Sequence, residues 1–116
     1  MPRPAPIALC LALLIAATAR AQEADPWLGP DKALHFGVSA GLATGGYAGA
    51  ALVFEDEPRR LLVGGGLALA VGVGKELFDL AGAGNPSWKD LTWDVLGAAT
   101  GLAFAWAIDH FLIAPP

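Results

Sequence analysis

The chain has 116 residues, of which 55% are hydrophobic and only 16% charged, and its formal net charge is -4. This length accommodates one domain, and the composition is more apolar than that of an ordinary soluble domain. Because the net charge is negative and the longest basic run is the pair Arg59 and Arg60, nucleic-acid binding is excluded.

The N-terminus has the pattern of an export signal. Arg3 supplies a short positive region, residues 6–18 an apolar region, and residues 19–21 a small-x-small cleavage site. We therefore predict a signal peptide over residues 1–21 and a single helical membrane domain over residues 22–116.

Cys10, the only cysteine, lies inside the apolar region of this signal. Leu9 precedes it, where a lipoprotein cleavage motif has a small residue, so the sequence does not favour a lipid anchor. Once the signal is removed, the chain has no thiol for a disulfide, a thiolate metal site or a cysteine nucleophile.

Three long apolar segments follow and predict three helices, since none shows the alternation of a strand. They cover residues 31–54, 59–80 and 88–113. At 1.5 Å per residue, the first would be about 36 Å long, enough to span a bilayer. Pro58 suits the first turn of the second helix, with Asp56 or Glu57 as its cap. Ser87 followed by Asp90 resembles a capping box that opens the third helix.

Small residues recur every four positions in each predicted helix. The stripes are Gly37, Gly41, Gly45 and Gly49 in the first helix, Gly64, Ala68 and Gly72 in the second, and Gly97, Gly101 and Ala105 in the third. Such stripes let helix backbones approach closely in lipid. We predict an all-α fold, a small membrane-associated bundle of three antiparallel helices.

The basic residues predict the orientation of this bundle. Arg59 and Arg60 lie in the first loop, and the positive-inside rule places that loop in the cytoplasm. The opposite ends of the helices then face the periplasm. An aromatic belt is expected at the two boundaries, formed by Trp27, Trp88 and Trp93 outside and Trp106 inside.

Nine charged or titratable residues fall in three clusters at the predicted periplasmic ends. They are Asp31, Lys32 and His35, then Lys75, Glu76 and Asp79, then Lys89, Asp90 and Asp94. Spacings of three or four residues place members of a cluster on one helix face. Glu76 and Asp79 end a helix, where the dipole disfavours negative charge, so we expect a lysine to pair with them.

The clusters have three interpretations. The first is an ion-pair network that pins the helix ends. The second is a divalent metal site that activates water, and its candidate ligands are His35, Glu76, Asp79, Asp90 and Asp94. The third is recognition of a phosphate or carboxylate head group, and its candidate contacts are Lys32, Lys75 and Lys89.

Two further polar positions receive structural interpretations. Ser39 lies four residues from His35, but a serine that bonds its own helix carbonyl is favoured over a nucleophile. Asp109 and His110 lie near the predicted cytoplasmic end of the third helix, and we interpret them as a solvated terminus rather than a site.

The polar residues also resemble a known family, the YfiM family of bacterial envelope lipoproteins. The resemblance rests on Asp25, Trp27, Gly29, Asp31, Lys32, His35, Phe36, Ser39, Lys75, Glu76, Asp79, the string S-W-K-D-L-x-W-D over residues 87–94, Gly97 and Gly101. The motif D-K-x-x-H-F also resembles the opening of VanZ-type membrane proteins. The chain lacks the later Tyr, Arg and Asn of that pattern, so glycopeptide resistance is not implied. The resemblance implies an exported envelope protein and no particular reaction.

We therefore predict a small bacterial cell-envelope membrane protein whose polar cluster is structural or binds lipid head groups. The alternative is a metal-assisted hydrolase acting on a lipid-linked envelope substrate. The sequence does not favour catalysis, and we predict no cofactor. The expected partners are membrane lipids, with other envelope proteins as further candidates. A soluble periplasmic bundle stays open, because glycine lowers the hydropathy of each segment.

Overall fold

The structure is a computed structural model that describes residues 7–13 and 25–113. Residues 7–13 are helical, and the predicted cleavage site at residues 19–21 lies outside the described residues. Three long helices follow: α1 (Pro30–Ala51), α2 (Glu57–Phe78) and α3 (Trp88–Ile108). No strand occurs among the described residues, so the all-α prediction is confirmed.

Local capping signals set the starts of α2 and α3. The Asp56 carboxylate accepts a hydrogen bond from the Arg59 amide at 3.1 Å, with Pro58 in the first turn of α2. The Ser87 hydroxyl accepts one from the Asp90 amide at 3.2 Å at the start of α3. Both predicted caps are confirmed, although α2 begins two residues earlier than the predicted segment.

Each of the last two helices ends in a π-helical turn. Asp79–Ala83 continues α2, and Asp109–Ile113 continues α3. Within the first turn, Gly82 has a φ of 106°, in the left-handed region that favours glycine. This residue ends the helical run before the loop that leads to α3.

The three helices pack on one another along their lengths, with α1 most extensively against α3. Residues further along α1 contact residues further along α3: Ser39 bonds Asp94, and Tyr47 bonds Asp109. Arg60, near the start of α2, also bonds Asp109. The start of α2 therefore lies beside the end of α3, and the start of α3 lies beside the start of α1.

The predicted small-residue stripes of α2 and α3 form helix contacts. A Cβ added to Gly64 would overlap the Ala43 carbonyl oxygen, and one added to Gly97 would overlap the Phe36 carbonyl oxygen. Ala68, in the α2 stripe, is buried as well. These positions let the backbones approach closely, as predicted.

The predicted stripe of α1 is wrong. Its four glycines have no neighbouring atom within 4 Å of an added Cβ; they are Gly37, Gly41, Gly45 and Gly49. The buried face of α1 instead carries Lys32, Ser39 and Tyr47. These polar groups hydrogen-bond to α3 and to the loops. Because buried polar groups need such partners, the hydrogen bonds determine which face of α1 is buried.

Small apolar residues form the core of this bundle and large apolar residues lie on its outside, the inverse of a soluble protein. The core cluster consists of Ala43, Ala68 and Ala98. Large apolar side chains are exposed along all three helices, among them Leu34, Leu62, Val73, Leu96 and Phe104. An extended exposed apolar surface is rare on soluble monomers and marks contact with a membrane or another protein.

Two of the helical runs are long and apolar enough to cross a membrane. Judged by length and composition, they are Glu57–Gly82 and Trp88–Ile113, each of 26 residues. Only 22% and 28% of their most apolar stretches are buried within the bundle. Among the described helices α1 does not meet this test.

Candidate functional site

One end of the bundle holds an enclosed lysine. The Lys32 side chain is 2% exposed, and its ammonium contacts Asp25, Asp31 at 2.5 Å and Asp90 at 2.7 Å. We call this ammonium and its three carboxylates the lysine cage. A buried cation is tolerated only when opposite charges and hydrogen bonds surround it, and the cage provides three carboxylates.

The cage lies where α1 and α3 begin, and this position stabilises its carboxylates. Asp31 is in the first turn of α1 and Asp90 in the first turn of α3. Helix N-termini carry partial positive charge and favour nearby anions. The same helix dipoles destabilise the positive charge of Lys32, so the attraction by the three carboxylates must exceed this repulsion.

The cage also has the spacing of a metal site. Carboxylate oxygens of Asp25, Asp31 and Asp90 lie within 4.8 Å of one another, the only such group among residues 7–13 and 25–113. The Lys32 ammonium lies among them and supplies the positive charge. Of the five ligands predicted from sequence, only Asp90 belongs to this group.

His35 links α1 to α3 by both of its ring nitrogens. Nδ1 lies 2.9 Å from Asp94 Oδ1, and Nε2 lies 3.2 Å from Asp90 Oδ2. Ser39, one turn further along α1, donates to the Asp94 carbonyl oxygen at 2.6 Å. The expectation that Ser39 bonds its own helix is therefore wrong, because the α3 backbone lies within reach.

Glu76 completes the cap of α3 from the end of α2. Its Oε2 accepts a hydrogen bond from the buried Ser87 amide at 2.6 Å, while the Ser87 hydroxyl bonds Asp25. In a capping box the residue three positions on would take that amide. Here Asp90 faces the lysine cage instead, and Glu76 replaces it.

The remaining lysines lie at the edge of the network. Lys75 pairs with Asp79 at 2.7 Å, as expected for that carboxylate, whereas Glu76 takes a backbone amide rather than a lysine. Lys89 donates to the Asp25 carbonyl oxygen at 2.7 Å, and its ammonium lies 5.4 Å from the centre of the Trp27 ring. All nine residues singled out in the sequence thus contact one connected network.

Asp25 belongs to the network but not to the nine residues singled out by helical spacing, although the family resemblance includes it. It binds both Lys32 and Ser87, so it joins α1 to the start of α3. Burial alone would raise the pKa of its carboxyl, but the hydrogen bonds from Lys32 and Ser87 outweigh burial and hold that pKa below its ordinary value. Asp25 lies in a polar stretch before α1, so it has no helical spacing relative to the other members of the network.

A second polar cluster occupies the opposite end of the bundle. The Asp109 carboxylate is buried and accepts from Tyr47 at 2.6 Å and from Arg60 at 2.7 Å. We call these three residues the distal cluster. Nearby, Glu57 accepts from Trp106 at 2.9 Å and lies 3.2 Å from His110. The interpretation of Asp109 as a solvated residue is therefore wrong.

We call the end of the bundle that contains the lysine cage the cage half. Two carboxylate oxygens in the cage half lack a hydrogen-bond donor among the described residues. They are Glu76 Oε1 and Asp94 Oδ2, both buried. Asp90 Oδ1 also lacks a well-aligned donor, but the Lys32 ammonium lies 2.7 Å from it. Asp94 Oδ2 borders a groove between α1 and α2, where it lies close to Gly72.

Comparison with known proteins adds no relative. No protein-family model matches the chain, and no curated protein or solved structure matches it either.

Proposed function

We propose that the chain is an integral membrane protein of the bacterial cell envelope, with the lysine cage as a structural lock at its periplasmic end. The observation that carries the proposal is the inverted packing, with alanines inside and large apolar side chains outside. In lipid, small residues at helix contacts replace the hydrophobic drive, and large ones face the acyl chains.

The two ends of the bundle fit the two membrane boundaries. Trp27, Trp88 and Trp93 lie at the cage end, where Trp27 and Trp88 pack edge to face and Trp93 donates to the Trp27 carbonyl oxygen. Indole rings concentrate at such boundaries. Arg59 is exposed in the first turn of α2, at the other end of the bundle, and supports a cytoplasmic position for that end.

A structural role for the cage is favoured over the two other interpretations. Lys32 is enclosed by carboxylates and is not free to bind an anionic head group. The metal-assisted hydrolase has less support, because the same ammonium lies among the three oxygens that would hold an ion. The resemblance to YfiM-type envelope proteins supports the location and names no reaction.

Carbonate extraction and cysteine labelling test this proposal. In a Cys10→Ser background, Glu55→Cys and Asn85→Cys each place one thiol in an exposed loop. We expect the protein to stay in carbonate-washed membranes, with Asn85→Cys labelled by an impermeant maleimide in spheroplasts and Glu55→Cys labelled only after lysis. Extraction by carbonate would establish a soluble bundle, and the reverse labelling would invert the orientation.

A further inference from the structure

The groove between α1 and α2 has an apolar wall and a polar end. Its apolar wall consists of Leu34, Val38 and Leu42 from α1 and Ala68 and Val71 from α2. From residue 34 to residue 42 the wall extends about 12 Å along the helix axis. The groove holds a cavity of about 160 Å³ and is open towards the outside of the bundle.

The polar end of the groove contains a buried acceptor without a donor. The Asp94 side chain is 6% exposed; its Oδ1 faces His35, and its Oδ2 has no hydrogen-bond partner among the described residues. Gly72 also lines the groove, and a Cβ there would come within 2.8 Å of Oδ2. A carboxylate oxygen left in this state costs free energy, which a charged donor recovers better than a neutral one.

We propose that this groove binds one membrane lipid with a primary ammonium in its head group. The ammonium donates a hydrogen bond to Asp94 Oδ2, and an acyl chain lies along the apolar wall. This inference rests on the membrane location proposed above, and it adds a ligand site to a cluster that is otherwise structural.

The surrounding charges favour a cationic donor. The cage half contains more carboxylates than lysines, so a fatty-acid head group would meet repulsion there. Lys75 is the one lysine that lines the groove; its side chain is 45% exposed, and beside its pair with Asp79 its ammonium has further N–H groups for the phosphate of the same lipid.

The direction of the groove also matches a bilayer. Its polar end lies beside the cage and the tryptophans, at the proposed membrane boundary, and its apolar wall extends towards the middle of the bundle. A lipid bound in this way keeps its head group at the boundary and its chain at the depth of the surrounding acyl chains.

Photolabelling of the full chain in a nonionic detergent tests the site. The probe is phosphatidylethanolamine with a diazirine in its acyl chain, and the control is phosphatidylcholine with the same chain, whose trimethylammonium has no N–H to donate. Peptide mapping should locate the ethanolamine probe on Leu34, Val38 and Val71, with labelling about tenfold above the choline probe. Equal labelling by both probes would overturn the proposal.

Two variants with similar starting exposure separate the groove from the general apolar surface. Val71 is 46% exposed and lines the groove, whereas Val73 is 44% exposed and does not. Val71→Trp should remove the specific labelling, and Val73→Trp should leave it unchanged. Equal effects of the two variants would show that the probe binds the outer surface, which contradicts the proposal.

Asp94→Asn tests the acceptor itself and should reduce the preference for the ethanolamine probe to near equality. If this variant fails to fold, the two valine variants still decide the question. Because labelling is done in micelles, its failure is distinguishable from failure of the membrane location, which carbonate extraction reports separately.

Discussion

The two ends of the bundle are built around opposite charges. The lysine cage surrounds one buried ammonium with three carboxylates, whereas the distal cluster holds one buried carboxylate, Asp109, between a phenol and a guanidinium. In the distal cluster the positive charge of Arg60 balances the negative charge of Asp109. Arg60 also donates a hydrogen bond to the Phe54 carbonyl oxygen at 2.8 Å. The cage half contains an excess of acceptors.

This difference separates an end whose buried carboxylate has its donors from an end that has buried carboxylate oxygens without donors. Asp109 Oδ2 accepts hydrogen bonds from both Tyr47 and Arg60. The cage half, in contrast, leaves oxygens of Glu76 and Asp94 without donors. A buried acceptor without a partner requires an explanation, and a bound donor is one such explanation.

Removal of the central lysine should have the largest effect on stability. Lys32→Met leaves three carboxylates facing one another without their cation, and we expect a loss of about 3–5 kcal/mol in the free energy of unfolding. Equilibrium unfolding in mixed micelles measures this loss. Lys75→Met is the control, since that lysine is 45% exposed and should matter much less. Equal losses for the two variants would refute the special role of the cage.

Removal of the central charge at the other end should have a smaller effect. In Asp109→Asn, the amide oxygen still accepts from Tyr47 or Arg60, and Arg60 keeps the Phe54 carbonyl oxygen. The apparent Tm in the same micelles should fall, but less than for Lys32→Met.

Asp56→Asn is the matched control for the distal cluster. This exposed residue caps α2, and asparagine caps as well as aspartate, so the Tm should hardly change. A larger fall for Asp109→Asn than for Lys32→Met would reverse the ranking of the two ends.

The pH dependence of Asp25 should give the smallest effect. Its pKa in the folded chain lies below the ordinary value of 3.8, so its contribution to stability is present above that value and is lost as the pH falls through the folded pKa. The difference in unfolding free energy between the wild type and Asp25→Asn should therefore be constant near pH 6 and shrink below about pH 4. A difference that grows on acidification would contradict the lowered pKa.

The parts of the fold that depend on local signals were predictable. Asp56, Pro58 and Ser87 mark helix starts through contacts within three residues, and the stripes containing Gly64 and Gly97 follow a fixed spacing. The grouping of polar residues was also visible, since the predicted alternation of helix direction would bring those ends together.

The remaining features depend on partners that are distant in sequence. The inward face of α1 is decided by bonds such as Ser39 to Asp94, 55 residues apart. Burial of Asp109 depends on Tyr47, which is 62 residues away. Asp25 stands outside any helix, so no periodicity connects it to Lys32. Spacing along the chain contains no information about such pairs.

A double-mutant cycle tests the central claim most directly, namely that Lys32 and Asp90 form one energetic unit inside the bundle. Combining Lys32→Met with Asp90→Asn should give a coupling free energy of about 1–3 kcal/mol, since the two groups are 2.7 Å apart. Combining Lys32→Met with Asp109→Asn, at opposite ends, should give additive losses within about 0.5 kcal/mol. A coupling near zero for the first pair would contradict the cage as the lock of this bundle.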